Sequence, residues 1–236
     1  MHKMKMMRAY LILDLLLLLL FTWKEKDRIM ATSAFVHLHN HSEYSLLDGA
    51  CRISEMVDWA YDNSVPAVAL TDHGNMFGAY EFYVTAKEKG VNPIVGCEVY
   101  VAPDSRNSRD QSQRKPYHLT LIAEDETGYK NLMRLVSVAY IEGFYFRPRI
   151  DMEVLREYHE GIIALTGCIN GFVPALVSDD QAAAVRNLQM LIDIMGKHNL
   201  YVEIQNHGLD VELQTMPTLV KIAEEFELPM VGTNDS

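Results

Sequence analysis

From Phe35 onward the chain repeats one pattern, a short apolar run followed by an amphipathic stretch, seven times over. That repetition is the signature of β/α alternation. Strands are expected at 35–39, 66–71, 93–100, 118–123, 161–166, 200–205 and 229–233. Helices are expected at 53–63, where Ser54 would cap and Ile53, Met56, Val57, Ala60 and Tyr61 share a face, and at 77–89, 126–140, 151–158, 181–195 and 212–227. Seven units suit a closed or nearly closed α/β barrel, as a single domain, better than a doubly wound sheet; strand order stays open. The polar stretch from Pro103 to Pro116 reads as a mobile surface loop.

Composition narrows the function classes. With 236 residues, 49% hydrophobic and 22% charged, the chain can bury a sizeable core as one large domain. Its formal charge is −11, and from residue 30 on it carries 15 basic and 29 acidic side chains. Such a body repels polyanions, which disfavours a stand-alone nucleic-acid-binding module and requires local cations for any phosphate-bearing substrate. Cys51, Cys97 and Cys168 are odd in number and far apart, which fits a reducing compartment rather than a disulfide framework. Residues 1–29 contain the run Leu15 to Leu20, but the apolar stretch Ala9 to Trp23 holds Asp14 and at about 1.5 Å per residue falls short of a ~30 Å bilayer core. Charged Lys24 to Arg28 stands where small residues would prepare a signal cleavage. Residues 1–29 are therefore expected to be an extension outside the domain, with Met30 as the natural start.

Between Val36 and Ser42 the chain reads Val-His-Leu-His-Asn-His-Ser. On a strand His37, His39 and His41 would share a face. Imidazole is the commonest protein ligand for zinc and related ions, so one strand end would supply two ligands. The alternative is one packed histidine with the others in solvent. Further ligand types recur at expected strand ends: Asp72 and His73 after the second, Glu98 on the third, His118 on the fourth, Cys168 after the fifth and Asp235 after the last. Each alone has an ordinary explanation, as a helix cap, an exposed carboxylate, a core histidine or a small buried hydrophobe. Recurrence at the rim where β/α barrels assemble active sites argues for a shared site. Arg106, Arg109, Arg114, Lys115, Arg147 and Arg149 are the cations available to hold a phosphate backbone; the alternative is a solvated loop with structural arginines.

Several of these segments also carry a family likeness. His37-Leu-His39-Asn-His41-Ser through Asp48-Gly, Leu70-Thr-Asp72-His73-Gly, Gly96-Cys-Glu98-Val-Tyr, Tyr117-His118-Leu-Thr, Gly143 through Asp151, Thr166-Gly-Cys168 and Thr233-Asn-Asp235 resemble the polymerase and histidinol phosphatase (PHP) superfamily. Within it they are similar to the amino-terminal PHP domains of bacterial DNA polymerase III alpha subunits. The resemblance covers residues 35 to 236, and its Gly143-to-Asp151 and Asn75-to-Gly78 segments resemble the polymerase branch rather than the free-standing phosphatases. It implies a distorted seven-unit β/α barrel with up to nine ligands around up to three divalent ions. It implies metal ligation by His39, His41, Asp48, His73, Glu98, His118, Cys168 and Asp235. His37 stands where many relatives have an acid, and is expected beside the ligands rather than among them. Asp72 and His73 are expected to carry catalysis, Asp72 by orienting a ligand or a metal-bound water. Arg147 and Arg149 are expected to bind substrate. The ninth ligand, a histidine two positions past Asp235, would lie beyond Ser236, so residues 30–236 are expected to be a PHP domain shortened at its carboxyl end.

A set of imidazole, carboxylate and thiolate suits zinc, while manganese and iron would also be accepted. Closely spaced divalent ions serve phosphoester hydrolysis. The resemblance implies 3′→5′ exonuclease proofreading within a full-length cytoplasmic polymerase. DNA at a primer terminus, the remaining polymerase domains and other replisome subunits would be its partners, without membrane contact. Two other readings remain: a non-catalytic module bracing the polymerase, and a small-molecule phosphatase of the histidinol phosphatase type. The isolated chain is expected to be monomeric.

Overall fold

The computed structural model describes residues 35–46 and 48–236, so the extension expected over residues 1–29 lies outside the described residues. Six strands follow one curled path: β1 (Ala67–Leu70), β2 (Asn92–Val101), β3 (Tyr117–Ala123), β5 (Ile162–Leu165), β6 (Leu200–Ile204) and β7 (Met230–Gly232). A two-residue strand that the apolar pattern did not mark, β4 (Arg149–Ile150), pairs with the far end of β2. Neighbours run parallel except β3, which is antiparallel to both β2 and β5.

Segment 35–41 closes the ring, although it is not the regular strand its pattern suggests. On one side Ala69 and Thr71 N–H groups donate to the His37 and Asn40 carbonyls; on the other, His41 N–H donates to Ser236, and Ser236 N–H to His39. The Asn40 amide nitrogen donates to the carbonyls of Ala69 and His37, so a side chain takes up acceptors that a regular ladder would give to backbone. The expected common face for three imidazoles is lost. His37 instead sits edge-on between Phe35 and Trp59, with ring centroids 4.8 and 5.3 Å away, apart from the other two.

Helices α1 (Ile53–Asp62), α2 (Ala79–Lys89), α3 (Glu126–Ile141), α4 (Met152–Glu157), α5 (Gln181–Met195) and α6 (Asp210–Glu225) lie within two residues of expectation. Asp125, Asp151 and Asp180 start three of them by accepting the N–H of the third residue onward, which satisfies one orphan donor each. Ser54 does not cap α1: Arg52 occupies that position and no side chain closes the turn.

Along each strand a period of two separates two worlds. Cys97, Val99, Val101, Leu119, Leu121, Ile162, Ala164, Leu200 and Val202 face outward into the layer shared with the helices. Ile94, Ile122, Ile163, Leu165, Tyr201 and Val231 face inward and plug one end of the barrel with Val36, Ala67 and Ala69. Further along the same inward columns the chemistry changes to Glu98, His118, Thr120, Glu203 and Thr233. Because β3 runs backwards, His118 at its amino-terminal end reaches the mouth formed by the carboxyl ends of β2, β5 and β6.

The stretch expected to be a mobile loop is fastened down. Arg149, fully buried, donates to the carbonyls of Gly143, Gln113, Arg106 and Ser108. Arg106 in turn pairs with Asp151, Glu142 and Glu153, and Arg109 donates to the Glu142 and Arg106 carbonyls. These three arginines are structural.

Candidate metal centre

Seven of the eight side chains expected as ligands form three overlapping groups at this mouth: His39, His41 and Asp235; His41, His73 and Glu98; Glu98, His118 and Cys168. Within each group the ligand atoms lie within 4.8 Å of one another. Asp48, the eighth, stands at the solvent edge with its carboxylate 3.1 Å from His73 Nε2. Glu98 is the hub. One of its oxygens lies 3.0 Å from His118 Nδ1 and 3.3 Å from His39 Nε2, and the other faces His73 Nδ1 and, at 3.8 Å, His41 Nε2. Asp235 lies 3.0 Å from His41 Nε2 and 3.5 Å from His39 Nε2, while the Cys168 sulfur is 3.9 Å from both Glu98 and His118.

The electrostatics follow from packing unlike groups in a dry site. Burial alone would raise the Glu98 pKa, but the close imidazoles of His118, His39 and His73 outweigh it and hold the carboxyl well below the usual range. Burial alone would lower His39; the Glu203 carboxylate and then Glu98 overcome it and hold the imidazole well above its ordinary value. His73 is likewise raised against its burial, chiefly by Glu98. Burial, with Glu98 adding to it, pushes the Cys168 thiol up.

Three buried atoms, His39 Nε2, His73 Nδ1 and Glu98 Oε2, have no hydrogen-bond partner among the described residues. His73 Nδ1 and Glu98 Oε2 lie against each other without making a hydrogen bond. Buried polar atoms are otherwise nearly always satisfied, and these three point into one space ringed by nitrogen, oxygen and sulfur donors. A divalent cation fits that donor set.

Two residues outside the ligand set orient it. Asp72 does not face this space: its carboxylate accepts from the Ser42 N–H and hydroxyl and from the Ser45 hydroxyl. The single Ser45 proton goes to Asp72, so its oxygen accepts the His73 N–H at 3.0 Å and faces His41 Nδ1 at 3.3 Å. That leaves His41 Nε2 for the cluster. Asp72, expected to act by orienting a ligand or a metal-bound water, does not touch the cluster itself and braces the turn beneath His41 and His73. Glu203, buried on β6, makes the corresponding contact with His39 Nδ1 at 2.7 Å. Its signal in the sequence is one inward carboxylate in Leu200-Tyr-Val-Glu203-Ile, too small to notice alone.

The expected pair of substrate-binding arginines divides. Arg149 is a correction, since its guanidinium is spent on loop carbonyls away from the mouth. Arg147 is exposed, with its guanidinium 5.5 Å from the Tyr100 ring centre, and that ring lies 6.0 Å from His73 and 5.2 Å from His118. Burial pushes the Tyr100 phenol up to about 12 although Arg147 opposes it.

A PHP domain model matches residues 37–207. The chain is 45% identical over 209 residues to DNA polymerase III subunit alpha of Treponema pallidum, covering 87% of this chain and 18% of that protein. It is 45% identical over 207 residues to the same subunit of Thermus aquaticus, covering 85% and 17%. It therefore spans less than a fifth of these relatives. Among solved structures, an amidohydrolase from Chromobacterium violaceum superposes with a TM-score of 0.53 at 16% identity over 85% of this chain and 86% of its own. A two-domain protein from Bacteroides vulgatus, described as containing a predicted PHP-like metal-dependent phosphoesterase, superposes with a TM-score of 0.50 at 18% identity over 85% and 51%. At these identities the two structures speak to the fold, a distorted β/α barrel.

Proposed function

Given that the chain belongs to the PHP domain family, we propose that its cluster is a metal-dependent phosphodiesterase site, a 3′→5′ exonuclease proofreading DNA within a cytoplasmic polymerase. The observation that carries this reading is the convergence of His39, His41, His73, Glu98, His118, Cys168 and Asp235 around three unsatisfied buried atoms. His39, His41 and Asp235 would hold one ion, His73 with one oxygen of Glu98 a second, and the other oxygen of Glu98 with His118 and Cys168 a third, the single lone pair of His41 Nε2 serving one ion, with Asp48 at the open edge and zinc, manganese or iron as the metal. Such ions supply a nucleophilic water at neutral pH and neutralise charge on phosphoryl oxygens.

The chain's own residues do the rest. Buried carboxylates repel a phosphodiester, so substrate approach depends on metal charge and on an accessible cation, and the exposure of Arg147 beside Tyr100 supports it as the side chain that would meet a phosphate from the solvent side. Tyr100 keeps its proton across the working pH range and offers Arg147 and His73 an aromatic face. The two relatives compared above are polymerase subunits, which supports DNA, the remaining polymerase domains and other replisome subunits as partners. The test is release of nucleotides from 3′-labelled mismatched DNA by the chain joined to the polymerase region of its relatives. Activity with Zn²⁺ or Mn²⁺ should vanish in His41→Ala, and a phosphomonoester should be the poorer substrate. Unchanged exonuclease activity in His41→Ala rejects the proposal.

A further inference from the structure

Glu203 lies beneath the cluster, 1% exposed, and its carboxylate accepts four hydrogen bonds. The donors are His39 Nδ1 at 2.7 Å, Gly167 N–H at 3.0 Å, Gln205 Nε2 at 3.1 Å and the Thr233 hydroxyl in a shorter contact. Three of these donors crowd Oε1 and Gly167 alone meets Oε2, so the oxygen that faces His39 is fully engaged. Three donors sit on the three separate segments that carry His39 with His41, Cys168, and Asp235. Gly167, at φ +88, is the glycine that turns the chain into Cys168. The neighbours of His39 Nδ1 leave Glu203 as its strong acceptor: the Gln205 amide nitrogen at 3.5 Å is itself a donor, and the Thr120 hydroxyl is 3.4 Å away. Nδ1 therefore carries a proton, and Nε2 is the nitrogen that faces Glu98 and Asp235, where a metal ion would take its lone pair.

We propose that Glu203 is the positioning residue of the cluster: it sets the tautomer and basicity of His39, and it clamps the His39–His41, Gly167–Cys168 and Thr233–Asp235 segments at one spacing. Carboxylates on the far nitrogen of a ligating imidazole act in this way. The assignment rests on the metal-site reading above.

Zn²⁺ affinity of the chain, measured by chelator competition for wild type, Glu203→Gln and Glu203→Asp, tests it together with the ¹⁵N-histidine NMR spectrum of the Zn²⁺-loaded proteins. Glu203→Gln keeps the shape, removes the charge and brings an amide NH₂ among four donors. We expect Zn²⁺ binding to weaken about 10- to 100-fold, with circular dichroism unchanged and the His39 Nδ1 proton shifted upfield. Glu203→Asp, charged but one methylene short, should fall between the two. Wild-type affinity with an unmoved Nδ1 proton in Glu203→Gln overturns the assignment. If that variant does not fold, the same result in Glu203→Asp overturns it. A wild-type chain that takes up no Zn²⁺ defeats the metal-site reading itself, whereas equal uptake by wild type and Glu203→Gln defeats only the role of Glu203.

Discussion

Glu98 is a carboxylate that four imidazoles approach and that almost no water reaches. In that setting its charge matters more than its shape. Glu98→Gln should retain the barrel yet lose metal from the two groups that share it, which inductively coupled plasma analysis would read as at least about a tenfold drop in affinity at those positions. The residues flanking it were legible in the sequence because histidine, cysteine and aspartate in short motifs are conspicuous against apolar strands. Their supports were less so. Asp72 stood beside His73 and looked catalytic, but its geometry assigns it to Ser42 and Ser45; adjacency along a chain says nothing about which way a carboxylate turns.

At the scale of elements, β/α periodicity placed six helices and six of the expected strands, since both periods are local properties of the chain. It failed at 35–39 because the Asn40 amide intrudes on the ladder, a competition that hydrophobic pattern does not register. The 103–116 stretch looked mobile because it is polar, with its fastening, Arg149, more than thirty residues away. Replacing Arg149 by Met would take one donor from each of four carbonyls, of which Arg106 and Ser108 keep Arg109, and we expect a loss of about 3 kcal/mol in urea unfolding together with fast hydrogen exchange across 103–116. Arg149→Lys should rescue little, because an ammonium cannot reproduce the planar fork.

For the whole molecule, the cluster makes stability depend on pH and metal together. His39 and His73 are raised above 6.5, so without metal their contribution is complete below that pH and fades as pH rises through the raised values. Glu98 is lowered below 4.5, so its contribution is complete above that pH and fades as pH falls through its lowered value. Metal-free protein should therefore be most stable between those ordinary values, as thermal melts in EDTA would show. Metal needs neutral imidazoles and a Cys168 thiolate, so binding releases protons and strengthens with pH. At a hundredfold excess over Kd, metal should raise Tm by roughly 5–10 °C. The gap between metal-loaded and EDTA-treated melts should widen from about pH 6 to about pH 8.

The amino-acid order alone specified a β/α barrel and a set of ligand-bearing segments, because periodicity and residue chemistry are written within a few positions of each other. Spatial pairing settled the remainder. The reversal of β3 brings His118 to the mouth, the diversion of His37 follows from Asn40, Arg149 is consumed by a loop, and Glu203 reaches His39, 164 positions away. Each depends on which backbone and side-chain groups meet once the sheet curls, and a hydrogen bond between distant segments leaves no local trace in either of them.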